Sequence, residues 1–250
     1  PDLDAGTFAG EEVVSVLIAK NTGEVTLHSK DLEITVAKVS FGKTEYFAKK
    51  ISYDTAKETA TFLFEKSIPK GKAKIELEFR GLLADSLRGF YKSKYMHEGR
   101  ERIIATTQFE ATDARRAFPC FDEPAQKAVF DVSLIVPSDK TAISNTLPVA
   151  TREHTPGFQV IDFAPTPVMS TYLLAFIIGD FEYLERKTKS GVKVRVFTTP
   201  GKKHQAKFAL DTTVRCLEFY EGYFGIAYPL DTLDTIALPD FESAAMENWG

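Results

Sequence analysis

A period of two governs the first three quarters of this 250-residue chain. Val14-Val16-Ile18 and Glu24-Thr26-His28 alternate with residues of other character, and so do the stretches Thr61–Glu65 and Lys74–Phe79. Successive side chains of a strand point to opposite faces, so this alternation predicts strands with one face buried. Further strand candidates are Ile103–Phe109, Ala128–Val136, Phe158–Phe163 and Thr171–Gly179. Gly and Pro punctuate the spaces between strands, at Gly23, Gly42, Pro69-Lys-Gly71, Gly81, Gly99, Pro137, Pro148, Pro156-Gly157 and Pro165-Thr-Pro167. Many short strands with regular turn signals predict a mainly β fold over residues 1–189, an antiparallel sandwich or saddle-shaped set of sheets.

The rhythm changes after Lys189-Ser-Gly191. Val192–Phe197 reads as a strand, and from Lys203 to Phe224 the period becomes helical. Ala206, Leu210, Val214, Leu217, Tyr220 and Phe224 then share one face, with Gly225 placed to end the helix. Leu233–Leu238 is another strand candidate, closed by Pro239. Residues 190–250 therefore predict the opening of an α/β unit.

Composition excludes several classes. With 44% hydrophobic and 26% charged residues the chain can bury a core and is not a disordered one. The net charge, 31 − 35 = −4, argues against nucleic acid as a partner. The longest apolar run, Tyr172 to Ile178, is far short of the ~18 residues of a membrane span. Cys120 and Cys216 both sit in apolar settings, which predicts two free buried thiols rather than a disulfide. Together with the lack of any Asn-x-Ser/Thr acceptor, this points to a reducing compartment, the cytoplasm. The four histidines are scattered and no His-Glu-x-x-His occurs, so no metal-ligand set is expected within the chain.

Three features carry more chemistry than a generic core requires. In Thr107–Pro124, Gln108 and Glu110 alternate with Phe109. If the strand continues they share a face, suited either to a cationic group or to plain solvation at a strand end. In the same stretch Asp113, Arg115, Arg116, Asp122 and Glu123 lie among Phe118, Cys120 and Phe121, the pattern of a structural corner in which Arg forks pair with carboxylates. Asp240–Gly250 mixes small residues with Met246 and Glu247. Its backbone could accept an extended peptide as an added strand while Glu247 neutralises the peptide's amino terminus, or it could be an ordinary surface loop. A chain that stops directly after so dense a segment is expected to be a piece of a longer protein.

Gln108–Pro124 resembles the signature of the gluzincin aminopeptidases, of the aminopeptidase N and puromycin-sensitive type. Pro167–Phe176 is similar to a second shared stretch, and Ala244-Ala-Met-Glu-Asn248 is similar to that family's Gly-x-Met-Glu-Asn motif. The resemblance implies an amino-terminal saddle-like β domain over residues 1–189, then the truncated start of a thermolysin-like catalytic domain over 190–250. It implies that Glu247 and Glu110 clamp the free α-amino group of a peptide, with Gln108 beside the first side-chain pocket. Ala244 and Ala245 would line the peptide main chain, and Met246 would sit by the pocket. It also implies zinc as cofactor, with its ligands, the general base and a catalytic Tyr beyond Gly250, so that the 250 residues alone are expected to be inactive. Ala244 departs from the motif's Gly, which could narrow the groove or remove a conformation with positive φ. A non-catalytic scaffold of the same fold and the family's epoxide-hydrolase branch are the alternatives. Retention of Gln108, Glu110 and Glu247 argues against the first, and the Gln-Phe-Glu sequence with its acid at position 110 against the second.

Overall fold

A computed structural model describes every residue from Pro1 to Gly250. Strand makes up 52% of it and helix 11%, so the fold is mainly β. The first six strands are β1 (Thr7–Ile18), β2 (Thr22–His28), β3 (Leu32–Phe41), β4 (Thr44–Asp54), β5 (Thr59–Ile68) and β6 (Gly71–Leu82). They form one curled antiparallel sheet in the order β1-β6-β3-β4-β5-β2. Its alternation is the one read from sequence: Ile75, Leu77 and Phe79 of β6 are buried, whereas Lys74, Glu78 and Arg80 are exposed. β3 was hidden from that reading by a bulge between Ile34 and Val36. The buried set there runs Leu32, Ile34, Ala37, Val39, so the period slips by one residue midway. Gly81 does not punctuate; it lies inside β6, where the Phe8 ring from β1 crosses it so closely that a Cβ would fall 2.6 Å from the ring.

The next elements are β7 (Gly89–His97), β8 (Arg100–Gln108), β9 (Ser133–Pro137), β10 (Thr141–Ser144), β11 (Pro148–Thr155), β12 (Phe158–Phe163) and β13 (Phe176–Gly179). They build a four-stranded sheet, β10-β13-β8-β7, and a three-stranded one, β11-β12-β9. Two strand expectations contract. Thr171–Leu173 is a 3-10 turn, and pairing begins only at Phe176, because the Leu173 carbonyl is taken by the Asn145 side chain instead of a ladder. Ala128 makes a lone bridge to Met169, and the strand proper starts at Ser133 because Phe130 N–H donates to Thr166 Oγ1.

β14 (Glu182–Lys187), β15 (Lys193–Thr198), α1 (Lys207–Phe224) and β16 (Thr232–Ile236) complete the chain. β14 pairs antiparallel and β16 parallel with β15. Leu210, Val214 and Leu217 pack α1 onto this sheet with Val192, Val194, Val196 and Ala206. Gly225 ends the helix in the left-handed region at φ 66°, as its position predicts. Tyr220 and Phe224 are exposed, however, contrary to expectation. An 18-residue helix runs ~27 Å, whereas the six residues of β15 run only ~20 Å, so the last turns outreach the sheet. Cys216 is likewise exposed, since it points away from the Leu210–Val214–Leu217 face; only Cys120 is a buried thiol. No helix is long and apolar enough to cross a membrane.

The four-stranded sheet is a middle layer. Ala105 of β8 and Ile178 of β13 face the main core of 28 buried residues that the six-stranded sheet also lines. Their neighbours Ile104 and Ile177 face the other way, onto Phe197 of β15.

The corner predicted in Thr107–Pro124 is present. Asp122 is buried, and its carboxylate accepts from Arg115 Nε at 3.0 Å, Arg115 N at 3.2 Å and Thr171 Oγ1 at 2.7 Å. Arg115 also reaches Glu58 at 3.1 Å, and the Asp122 N–H donates to His28 Nδ1. Replacing Asp122 by Ala strands a buried guanidinium without its main partner, which destabilises by ~3–5 kcal/mol. Chemical denaturation of the Asp122→Ala protein tests this; a midpoint equal to wild type would remove the corner's structural role.

Glu12 of β1 is a partly exposed residue whose carboxyl nevertheless lacks a partner. Its Oε1 is shielded from solvent with no hydrogen bond, and burial pushes its pKa up to about 8. Between the ordinary carboxylate value and about 8 the folded protein keeps a proton that the unfolded chain releases, so stability falls as pH rises through that window. Glu12→Gln removes the titration. Its melting temperature should decline less than that of wild type between pH 5.5 and 8.5, and parallel profiles would refute the buried, unpaired carboxyl.

Candidate functional site

The segment following β16, Asp240–Trp249, forms no regular element and lies against the middle sheet. Side chains directly opposite in an antiparallel pair share a face, and Tyr91 lies opposite Thr106, Ser93 opposite Ile104. Tyr91, Ser93, Ile104, Thr106 and Gln108 therefore project from the side of the sheet that faces Phe197, and this side receives the segment.

Contacts follow the order of the strands. At edge strand β7, the Tyr91 hydroxyl donates to Asp240 O at 3.0 Å, and the Asp240 N–H donates to Ser93 Oγ at 3.0 Å. The Asp240 carboxylate accepts from Lys94 N at 2.9 Å, capping an amide that the sheet edge would otherwise leave open. Burial, and then the nearby Asp240 carboxylate, raises the Tyr91 pKa, so the hydroxyl remains a donor. Just before β7, Arg88 grips Glu242 through two bonds of 2.9 and 3.0 Å, holding that carboxyl below its usual range. At β8, Gln108 Nε2 meets Met246 Sδ at 3.5 Å. On the far side, Asn248 Nδ2 donates to Leu173 O at 3.1 Å, and Asn145 Nδ2 donates to Trp249 O at 2.6 Å. The buried Asn145 also binds Leu173 O and accepts from Ala175 N.

The expected site residues divide into three groups. Gln108 and Met246 are brought together across 138 residues of sequence. Gln108 is buried, and its Oε1 has no hydrogen-bond partner, although the site lies at the surface. Gln108 and Phe109 do point to opposite sides, but β8 ends at Gln108, so Glu110 sits just past the strand and is exposed. Glu247 is exposed as well, and neither carboxylate has a hydrogen-bond or ion-pair partner. Ala244 and Ala245 are exposed, and the main chain from Ala244 to Glu247 makes no hydrogen bond within the protein. Ala244 does not adopt a positive φ, so its Cβ is compatible with this backbone.

Asp240, Asn145, Tyr91, Ser93 and Arg88, which fix the segment, were not picked out from sequence. Their partners lie 104 to 154 residues away, beyond the reach of any local spacing rule. No group of three His, Cys, Asp or Glu side chains is arranged to hold a metal ion, so the residues present do not form a zinc cradle.

Comparison with known proteins places both halves of this arrangement. Residues 1–173 match the family described as Peptidase M1 N-terminal domain, and residues 208–250 match the Peptidase family M1 domain. Aminopeptidase M1-C of Oryza sativa subsp. japonica is 44% identical over 253 residues, covering all of this chain and 28% of the relative. Puromycin-sensitive aminopeptidase of Caenorhabditis elegans is 41% identical over 253 residues, and endoplasmic reticulum aminopeptidase 2 of Homo sapiens 43% over 257. Each alignment covers the whole chain but only 27% of those two relatives, so the chain spans little more than a quarter of the curated proteins it matches.

Proposed function

Because the chain belongs to the peptidase M1 family, we propose that it is the amino-terminal part of a zinc aminopeptidase, which removes amino-terminal residues from peptides. The observation that carries this reading is the contact between Gln108 and Met246. It unites at one surface the two segments whose sequences resemble the family's substrate-recognition motifs.

In this reading Glu247 and Glu110 bind the α-ammonium of the substrate, and the unpartnered Oε1 of Gln108 offers a further acceptor nearby. The free N–H and C=O groups of Ala244 and Ala245 pair with the peptide backbone, and Met246 borders the first side-chain pocket. Two carboxylates converging on one ammonium explain why chain ends are chosen. An internal peptide bond brings no positive charge, and binding it would desolvate both carboxylates without compensation. Zinc would supply an activated water, held by ligands outside these 250 residues. We draw the division into a β domain (1–189) and the start of a catalytic domain (190–250) near residue 190, with β14 pairing across it onto β15. We place the protein in the cytoplasm, on its two unpaired thiols and the absence of glycosylation acceptors.

In the intact protein, Glu247→Ala is expected to raise KM and lower kcat for amino-acyl substrates, with kcat/KM falling ~10- to 100-fold, the range for losing a hydrogen-bonded charge. Zinc content should be unchanged. Undiminished aminopeptidase activity in this variant would remove Glu247 from amine binding.

A further inference from the structure

We propose that Asp240 is a positioning residue for amine recognition, holding Glu247 in place by tying the segment to edge strand β7. This rests on Glu247 binding the substrate ammonium, as proposed above. Asp240 uses its backbone N–H, its backbone carbonyl and its carboxylate, each on a different group of β7: Ser93 Oγ, Tyr91 OH and Lys94 N. Tyr91 and Ser93 are fully buried, so these partners are themselves fixed by packing.

Beyond Asp240 the segment has little else to hold it before Asn248. Its main chain makes no hydrogen bond from Phe241 to Glu247. The remaining tethers are the Arg88–Glu242 pair, whose side chains are 56% and 50% exposed, and the Gln108–Met246 contact to sulfur. An exposed ion pair and a thioether acceptor are weak restraints. Asp240 and Asn248 are therefore the two firm posts between which Glu247 is suspended. Ammonium recognition is steep in distance, so slack at one post disperses the carboxylate and weakens the pair.

The test is a double-mutant cycle in the intact protein, with Glu247→Gln as one arm and Asp240→Ala as the other. Asp240→Ala alone should raise KM for an amino-acyl substrate about five- to tenfold, the factor one hydrogen bond carries, with a smaller change in kcat and full zinc content. Tyr91→Phe removes one oxygen from the anchor and should act in the same direction; it serves also if Asp240→Ala does not fold. Asp240→Asn keeps an acceptor for Lys94 N–H and should recover most of the loss. In the Glu247→Gln background, Asp240→Ala should change kcat/KM by less than about twofold, since no carboxylate remains to be positioned. An equal loss in both backgrounds, or no loss in either, overturns the positioning role while leaving amine binding by Glu247 intact. A Glu247→Gln protein with wild-type kinetics overturns both readings.

Discussion

Strand β8 is buried on both faces, and the rest of the molecule is arranged around that constraint. Every residue from Ile104 to Phe109 is sequestered from solvent, with alternate side chains entering different cores. Ala105 and Phe109 help close the large core beneath the six-stranded sheet, whereas Ile104 packs on Phe197 from the carboxyl-terminal sheet. A strand in that position cannot slip, because a shift of one residue would exchange the two faces and put Gln108 into the apolar core. The register that secures the fold thereby fixes where Gln108 emerges, and with it the contact to Met246.

The Arg115–Asp122 corner secures the chain just beyond the same strand. The chain leaving β8 passes through this corner, whose partners come from separate places: Glu58 in the turn before β5, His28 at the end of β2, and Thr171 in the turn before β13. Burying charges so deeply brings little net stability, because desolvation offsets most of the attraction. What the corner supplies is a fixed relation between the sheets, since its three partners are satisfied together only in this arrangement. Both Glu110 and the Leu173 carbonyl that receives Asn145 and Asn248 are held close to it in sequence, so the corner bears on the site without contacting it.

Much of this was legible from sequence wherever the signal was local. β6 shows its alternation openly, and α1 shows its apolar stripe and terminating glycine. β3 and β4 do not, because bulges at Ile34–Val36 and Ala48–Lys50 break the period on which such a reading depends. The failure at Tyr220 and Phe224 has a different origin: the helical face was correctly drawn, but how much of it is covered depends on the length of strands that pair elsewhere. The candidate site divides in the same way. Gln108, Glu110 and Met246-Glu247 stand out through unusual local chemistry, whereas Asp240 and Asn145 act through partners far along the chain and gain meaning only once the middle sheet is assembled.

Under the proposed function, recognition is built across two units. Glu110 is carried by the β-rich part and Glu247 by the segment that follows the carboxyl-terminal sheet, so in the proposed function neither unit alone would set the spacing of the two carboxylates. Phe197 fills the space between them against Ile104, Ile143 and Ile177, a dry contact that resists sliding because close-packed interiors admit few alternative arrangements. Polar tethers then act at shorter range, Asp240 on β7 and Asn145 and Asn248 on the far side of the sheet. Apolar packing supplies strength without direction and hydrogen bonds supply direction at modest strength, and a carboxylate that must meet an ammonium within hydrogen-bonding distance needs both. Tethers at β7 and at the Asn145 side of the middle sheet hold the segment at both ends, while its main chain from Phe241 to Glu247 stays free of internal hydrogen bonds.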